Sequence, residues 1–254
     1  MVDESELARR RTLMGRGVTP WLTEPHMWGE QTGRSWSLIT GSATPDLNMV
    51  LVYDDDPELL TEPLAQIDKR GCPSLLMLAG PGKELAHALP SSYSGVGQMP
   101  IMAADLATVP RKHNARVREA VAADVDAVTE LIAEAYGFPR DIAELAAAPL
   151  NASVSAGMSI YLLEDDGRPV STVTACRSDE AVSLMSMATP ERFGRRGYGR
   201  ALLAAVLQIA YDDGATLGLL GATPAGLPLY EATGWHTQES WDLYTDAVSE
   251  QFSH

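Results

Sequence analysis

Three strand-like segments follow one another between Met158 and Thr189: "MSIYLLED", "VSTVTACRS" and "AVSLMSMAT". The first two are joined by the tight turn "DGRP", whose Asp-Gly chemistry suits a hairpin. The reading is therefore a meander of three successive antiparallel strands. It runs straight into "PERFGRRGYGR" and then into the apolar "ALLAAVLQIAYDDG", a helix closed by Gly214. Strands feeding a glycine-rich turn and a long helix narrow the fold to a sheet with helices packed on it.

The flanking sequence extends this pattern. "ARVREA" (Ala115–Ala120) reads as a strand. "VAADVDAVTELIAEAYG" reads as an amphipathic helix, with Val121, Val125, Val128, Leu131, Ile132 and Ala135 on one stripe and Gly137 as its stop. "DIAELAAAPL" is partly helical. After the long helix come a buried strand, "TLGLLGA", a short helix in "AGLPLYEATG" and a last strand, "WHTQESWDLY".

Pro110 and the polar, basic run that follows it suggest a linker across Leu106–Arg116. Domains of 1–112 and 113–254 are expected on either side. Before the break, "NMVLVYDDD" reads as a strand into an acidic turn, "PELLTEPLAQIDKRG" as a helix, "PSLLMLAG" as a buried strand and "GKELAHAL" as another helix. "SSYSGVGQMP" has loop chemistry. Trp21, Trp28 and Trp36 read as buried side chains, or as the wall of a pocket. Tyr53 and Asp54–Asp56 read as a solvated turn.

The formal charge of −15 disfavours nucleic-acid binding, since phosphate contacts need a basic surface. An acidic surface suits cationic partners such as amines. Cys72 and Cys176 form no CxxC pair, and the five histidines show no metal-ligand spacing, so no metal is expected. The N-terminal "MVDESELARRRTLMGRG" lacks the apolar core of a signal peptide, and no apolar run is long enough to span a membrane. A cytoplasmic protein without membrane attachment is expected.

Against that acidic background, four arginines and three glycines gather at one helix start: Arg192, Arg195, Arg196, Arg200, Gly194, Gly197 and Gly199. Glycines let backbone N–H groups approach a ligand closely. A helix N-terminus adds unsatisfied N–H groups and partial positive charge. Together they make an anion site suited to phosphate. A dinucleotide fingerprint fails because Leu202 stands where its third glycine is needed. A P-loop fails because Arg200 and Ala201 replace its Lys-Ser/Thr.

The hexapeptide Arg196-Gly197-Tyr198-Gly199-Arg200-Ala201 resembles the pyrophosphate motif R/Q-x-x-G-x-G/A of the GNAT acyltransferase superfamily. "SLMSMATPERFGRRGYGRALL" is similar to the family's fourth strand and its run into the cofactor helix. "GATPAGLPLYEATGWHT" is similar to its second landmark, with Gly-Trp where Gly-Phe is usual. The likeness runs from Ala115 onward. It implies a mixed, mostly antiparallel α/β (α+β) sheet flanked by helices. The amino-terminal half resembles a degenerate, smaller GNAT-like domain, acting as a lid or internal pseudo-partner.

The resemblance implies acetyl-CoA as co-substrate and direct attack of an amine on the thioester. Backbone groups of Met187, Ala188 and Thr189 would bond the pantetheine arm. The N–H groups of Arg195, Arg196, Gly197, Tyr198, Gly199, Arg200 and Ala201 would hold the pyrophosphate. Tyr230 matches the tyrosine that protonates the leaving thiolate. Some members carry a glutamate base on the fourth strand, but Ser183 stands in that place here. The candidates for the base are then a water chain, Glu180 and Glu134, in that order. A small-molecule amine is the expected acceptor. A protein lysine, or a non-catalytic acyl-CoA sensor, are the alternatives. Both a homodimer and an internal pseudo-dimer agree with the resemblance.

Overall fold

The computed structural model describes residues 2–150 and 157–247. In chain order its elements are α1 (Glu4–Val18), β1 (Trp28–Gln31), β2 (Ser35–Ile39), β3 (Asn48–Val52), α2 (Thr61–Arg70), β4 (Leu75–Leu78), β5 (Ser94–Asp105) and β6 (Val117–Glu119). They continue with α3 (Val125–Tyr136), α4 (Arg140–Ala147), β7 (Met158–Asp165), β8 (Arg168–Ser178), β9 (Ala181–Ala188), α5 (Tyr198–Asp212), β10 (Leu217–Gly221), α6 (Leu227–Glu231) and β11 (His236–Thr245).

The chain divides into two compact units, Met1–Ile101 with Thr237–His254, and Met102–His236. The sequence boundary at 112/113 therefore falls inside the second unit, and β11 groups with the first. The reason is pairing: β11 runs antiparallel to β4, from Asp242 opposite Leu78 to Thr245 opposite Leu75. Linker composition carries no trace of a strand that returns from the far end of the chain. Nor is Leu106–Arg116 a free linker. The Arg111 guanidinium lies 3.6 Å over the Tyr211 ring, and the Lys112 N–H donates to the Ala204 carbonyl at 3.1 Å.

In the first unit β1, β2 and β3 pair antiparallel, and β3 pairs with β4 in parallel. Val50, Val52, Leu76 and Leu78 pack against Leu60 and Ile67 of the α2 side. On α1, Gly15 permits contact with β2, since a Cβ there would stand 2.4 Å from the Trp36 ring. Trp21 and Trp36 are buried, as is Tyr53, whose hydroxyl meets Thr12 Oγ1 at 2.9 Å. The reading of Tyr53 as solvated is corrected by that bond, while Asp54 and Asp56 do form a surface turn held by Arg34. The segment "SSYSGVGQMP" also departs from expectation. Its residues from Ser94 onward are strand β5, because sheet pairing overrides weak local propensity.

In the second unit β6–β7–β8–β9 is an antiparallel meander, and β10 joins β9 in parallel. Leu202, Leu203 and Val206 of α5 pack on Val173, Val182 and Leu184. Val128, Leu131 and Ile132 of α3, with Ala143, Ala146 and Ala147 of α4, cover Ile160 and Leu162. This is a mixed, mostly antiparallel sheet clad in helices, as expected. Among the described residues no helix is long and apolar enough to cross a membrane.

Candidate active site

Strands β9 and β10 pair only at one end. Ala181, Val182 and Ser183 face Leu217, Gly218 and Leu219, and the pairing stops there. Leu184–Ala188 and Leu220–Gly221 run beyond it, so the two strands open as a fork. An insertion in β9 accompanies the opening. Thr172 pairs with Ala188 but Thr174 pairs with Met185, so one residue of β8, Val173, faces two of β9, Ser186 and Met187. Ser186 takes up the extra length with a left-handed φ of 47°. Such a bulge bends and twists its strand. In the first unit the equivalent strands β3 and β4 stay paired to their ends, from Met49–Leu75 to Val52–Leu78.

The start of α5 lies at the mouth of this fork. Arg195 and Gly197 both have positive φ, 60° and 78°, which turns the chain into the helix. Gly197 occupies the N-cap without a side-chain cap, and the first turn holds no acidic residue. The first-turn N–H groups thus lack an intrahelical partner and a carboxylate to seal them. A Cβ placed on Gly199 would stand 3.4 Å from Thr189 Oγ1, 3.5 Å from Met187 Cε and 3.7 Å from Leu229 Cδ2. The β9 end, the helix start and α6 therefore converge on this one glycine. Arg195, Arg196 and Arg200 are exposed around it. Thr189 is oriented by Ser171, hydroxyl to hydroxyl at 2.7 Å.

Two members of the basic cluster have other tasks. Arg192 pairs with Glu134 and, at 3.3 Å, with Glu130, and lies 4.7 Å over the Phe193 ring. Tyr198 is buried, and its hydroxyl donates to Asp165 Oδ2 at 2.5 Å, tying the loop to the β7–β8 turn. Its side chain is a tether, while its N–H remains part of the helix start.

Tyr230 is buried on α6, with its hydroxyl 3.5 Å from Met187 Sδ and its ring 5.9 Å from that of Trp235. Burial pushes its pKa up to about 12, so the phenol keeps its proton. Met187 is further held by Tyr136, whose hydroxyl donates to the Met187 carbonyl at 3.0 Å. The residues Met187, Thr189, Gly199 and Tyr230 are thus brought together.

Residues 125–235 match the sequence model of the acetyltransferase (GNAT) family. This segment is a GNAT acetyltransferase domain. The domain accordingly belongs to a family that draws its acetyl group from acetyl-CoA. The solved GCN5-related N-acetyltransferase from Kribbella flavida is 20% identical, with TM-score 0.64 over 95% of this chain and 96% of that one. A GNAT-family protein from Novosphingobium aromaticivorans is 16% identical, with TM-score 0.61 over 92% and 97%. A GCN5-related N-acetyltransferase from Sphaerobacter thermophilus is 15% identical, with TM-score 0.57 over 94% and 90%. At these identities the likeness establishes the fold, and it extends across both units. No curated protein matches the sequence significantly.

Within the GNAT domain, the candidate bases fall outside this cluster. Glu180 precedes β9 at its opposite end, seven residues before Met187, which at about 3.3 Å per residue is roughly 23 Å of chain. Its carbonyl accepts from the Thr216 and Leu217 N–H groups. Glu134 is engaged by Arg192. Ser183 is buried in the paired part of β9. Sequence reasoning missed Tyr136, Ser186 and the tethering role of Tyr198. The aromatic close of α3 marked Tyr136, but nothing local told which carbonyl it would reach.

Proposed function

We propose that the fork between β9 and β10 binds acetyl-CoA and passes its acetyl group to a primary amine of a small molecule. The observation that carries this is the uncapped, acid-free start of α5, set beside Met187 and the protonated Tyr230. The N–H groups of Arg195–Ala201, with the exposed arginines, would receive the pyrophosphate. The freed edge of β9 at Met187–Thr189 would pair with the pantetheine arm as an added strand.

The amine nitrogen attacks the thioester carbonyl carbon and the carbon–sulfur bond breaks. The Tyr230 hydroxyl gives its proton to the departing sulfur; the attacking nitrogen, cationic after attack, loses a proton to solvent as the amide forms, and solvent returns one to the phenolate. An alkylammonium has a pKa near 10.4, so it must first lose a proton. With Glu134 ion-paired and Glu180 along the strand, water takes that proton. The strongly acidic surface favours approach of a cationic acceptor.

The test is release of free coenzyme A thiol from acetyl-CoA across a panel of amino acids, polyamines, amino sugars and lysine peptides. Turnover on a small primary amine is expected. Turnover confined to lysine peptides would move the acceptor to protein. Binding of acetyl-CoA with no turnover on any acceptor would make the domain a sensor.

A further inference from the structure

The contact between Tyr230 and Met187 is unusual for a buried phenol, because a thioether is a weak acceptor. The Met187 side chain crosses the mouth of the fork. Its methyl carbon lies against the Gly199 turn of α5, and its sulfur faces the Tyr230 hydroxyl. The line from the α5 start to Tyr230 is also the line from the pyrophosphate site to the leaving sulfur, on the reading of the fork as an acyl-CoA site. One sulfur therefore lies where another has to arrive. A phenol has a single O–H to donate, so the two sulfurs compete for it.

We infer that the Met187 thioether is the gate of the thioester position, holding the Tyr230 hydroxyl until the sulfur of an acyl-CoA displaces it. The inference rests on the proposed acyl-CoA reading. The backbone of Met187 is fixed, by the bulge at Ser186 and by the Tyr136 hydroxyl on its carbonyl. Tyr136 is in turn stacked on Phe138, ring centroids 5.4 Å apart. Opening is thus confined to side-chain torsions, and an unbranched methionine has three to turn. A thioether suits this task. It keeps a buried hydroxyl from lacking a partner, yet it yields to a better acceptor. On binding, the ligand sulfur displaces the thioether by occupying its space, and as the carbon–sulfur bond breaks the developing thiolate becomes the better acceptor. Met187 is a positioning residue in this account, acting through Tyr230.

The experiment uses the full chain labelled with 13C at the methionine methyl groups, titrated with coenzyme A while calorimetry records occupancy. Loss of one resonance in Met187→Leu assigns the signal. The free protein should show a nuclear Overhauser contact between the Met187 methyl and the Tyr230 ring, assigned by the move of its ring frequency in Tyr230→Phe. That contact should vanish in proportion to coenzyme A bound. A contact that persists at saturation, or is absent from the free protein, overturns the gate while leaving the acyl-CoA reading intact. Failure of coenzyme A to bind overturns both.

Discussion

Tyr230, proposed above as the acid, combines two properties that pull against each other. Burial raises its pKa to about 12, which makes the phenol a reluctant donor to water. A thiolate leaving group inside the same site is a far stronger acceptor than water. Tyr230→Phe should lower turnover by about 10²-fold or more, with little change in acetyl-CoA affinity. Unchanged turnover would remove Tyr230 from the mechanism. The pH dependence follows from the same shift. Turnover should show no loss centred near pH 10, where an ordinary tyrosine ionises, because this one keeps its proton to about pH 12. A decline with an apparent pKa near 10 that disappears in Tyr230→Phe would contradict that assignment. In stability terms the raised pKa acts in the opposite sense. The folded chain holds this proton longer than the unfolded one, so stability falls as pH rises from about 10 through about 12.

At the scale of elements, the site depends on how α3, β9 and α5 begin and end. α3 supplies Tyr136 from its last residue, so anything that loosens the helix also loosens the hold on Met187. Its start is fixed by Asp124, which accepts from the Val121 N–H at 2.9 Å and forks onto Arg118 at 2.7 and 2.8 Å. Those donors hold the carboxyl at a pKa of about 2, below its ordinary 3.8. A depressed pKa contributes stability that is present above 3.8 and lost as pH falls through about 2. Asp124→Asn should therefore flatten the dependence of unfolding midpoint on pH across that window. Asp124→Ala should cost about 1 kcal/mol at neutral pH, read by urea denaturation. An acid slope identical to the wild type would show that the pair contributes nothing. Much at this scale was legible in the sequence. The α3 stripe, the Asp-Gly turn and the glycines around α5 each state a local geometry. The bulge at Ser186 was not legible, because serine carries no preference for a positive φ and the extra residue exists only relative to β8. Glu180 became a candidate base through proximity in sequence to β9. The strand's extension is what separates it from Tyr230.

On the scale of the whole molecule, the two units share a strand–turn–helix–strand plan but differ at the place where chemistry would occur. In the first, β3 leads into Asp54, Asp55 and Asp56 and stays paired with β4 to the end. In the second, β9 leads into an arginine-glycine turn and parts from β10. Carboxylates repel phosphate, and a closed strand pair has no edge to offer. A single acetyl-CoA per chain is therefore expected. Residues 1–110 contain no R/Q-x-x-G-x-G/A match, which is legible in the sequence, but the closed fork is not, since pairing length is a tertiary property. The sequence also placed the domain boundary at a polar run that packs on α5, while β11 joins the first compact unit through its return to β4. The most direct test of the account is a calorimetric titration of acetyl-CoA into the wild-type chain and into Gly199→Glu, whose carboxylate would enter the ring of Thr189, Met187 and Leu229. The account predicts a single site per chain in the wild type and loss of binding in the variant. Absence of binding in the wild type, or equal binding in both, would contradict it.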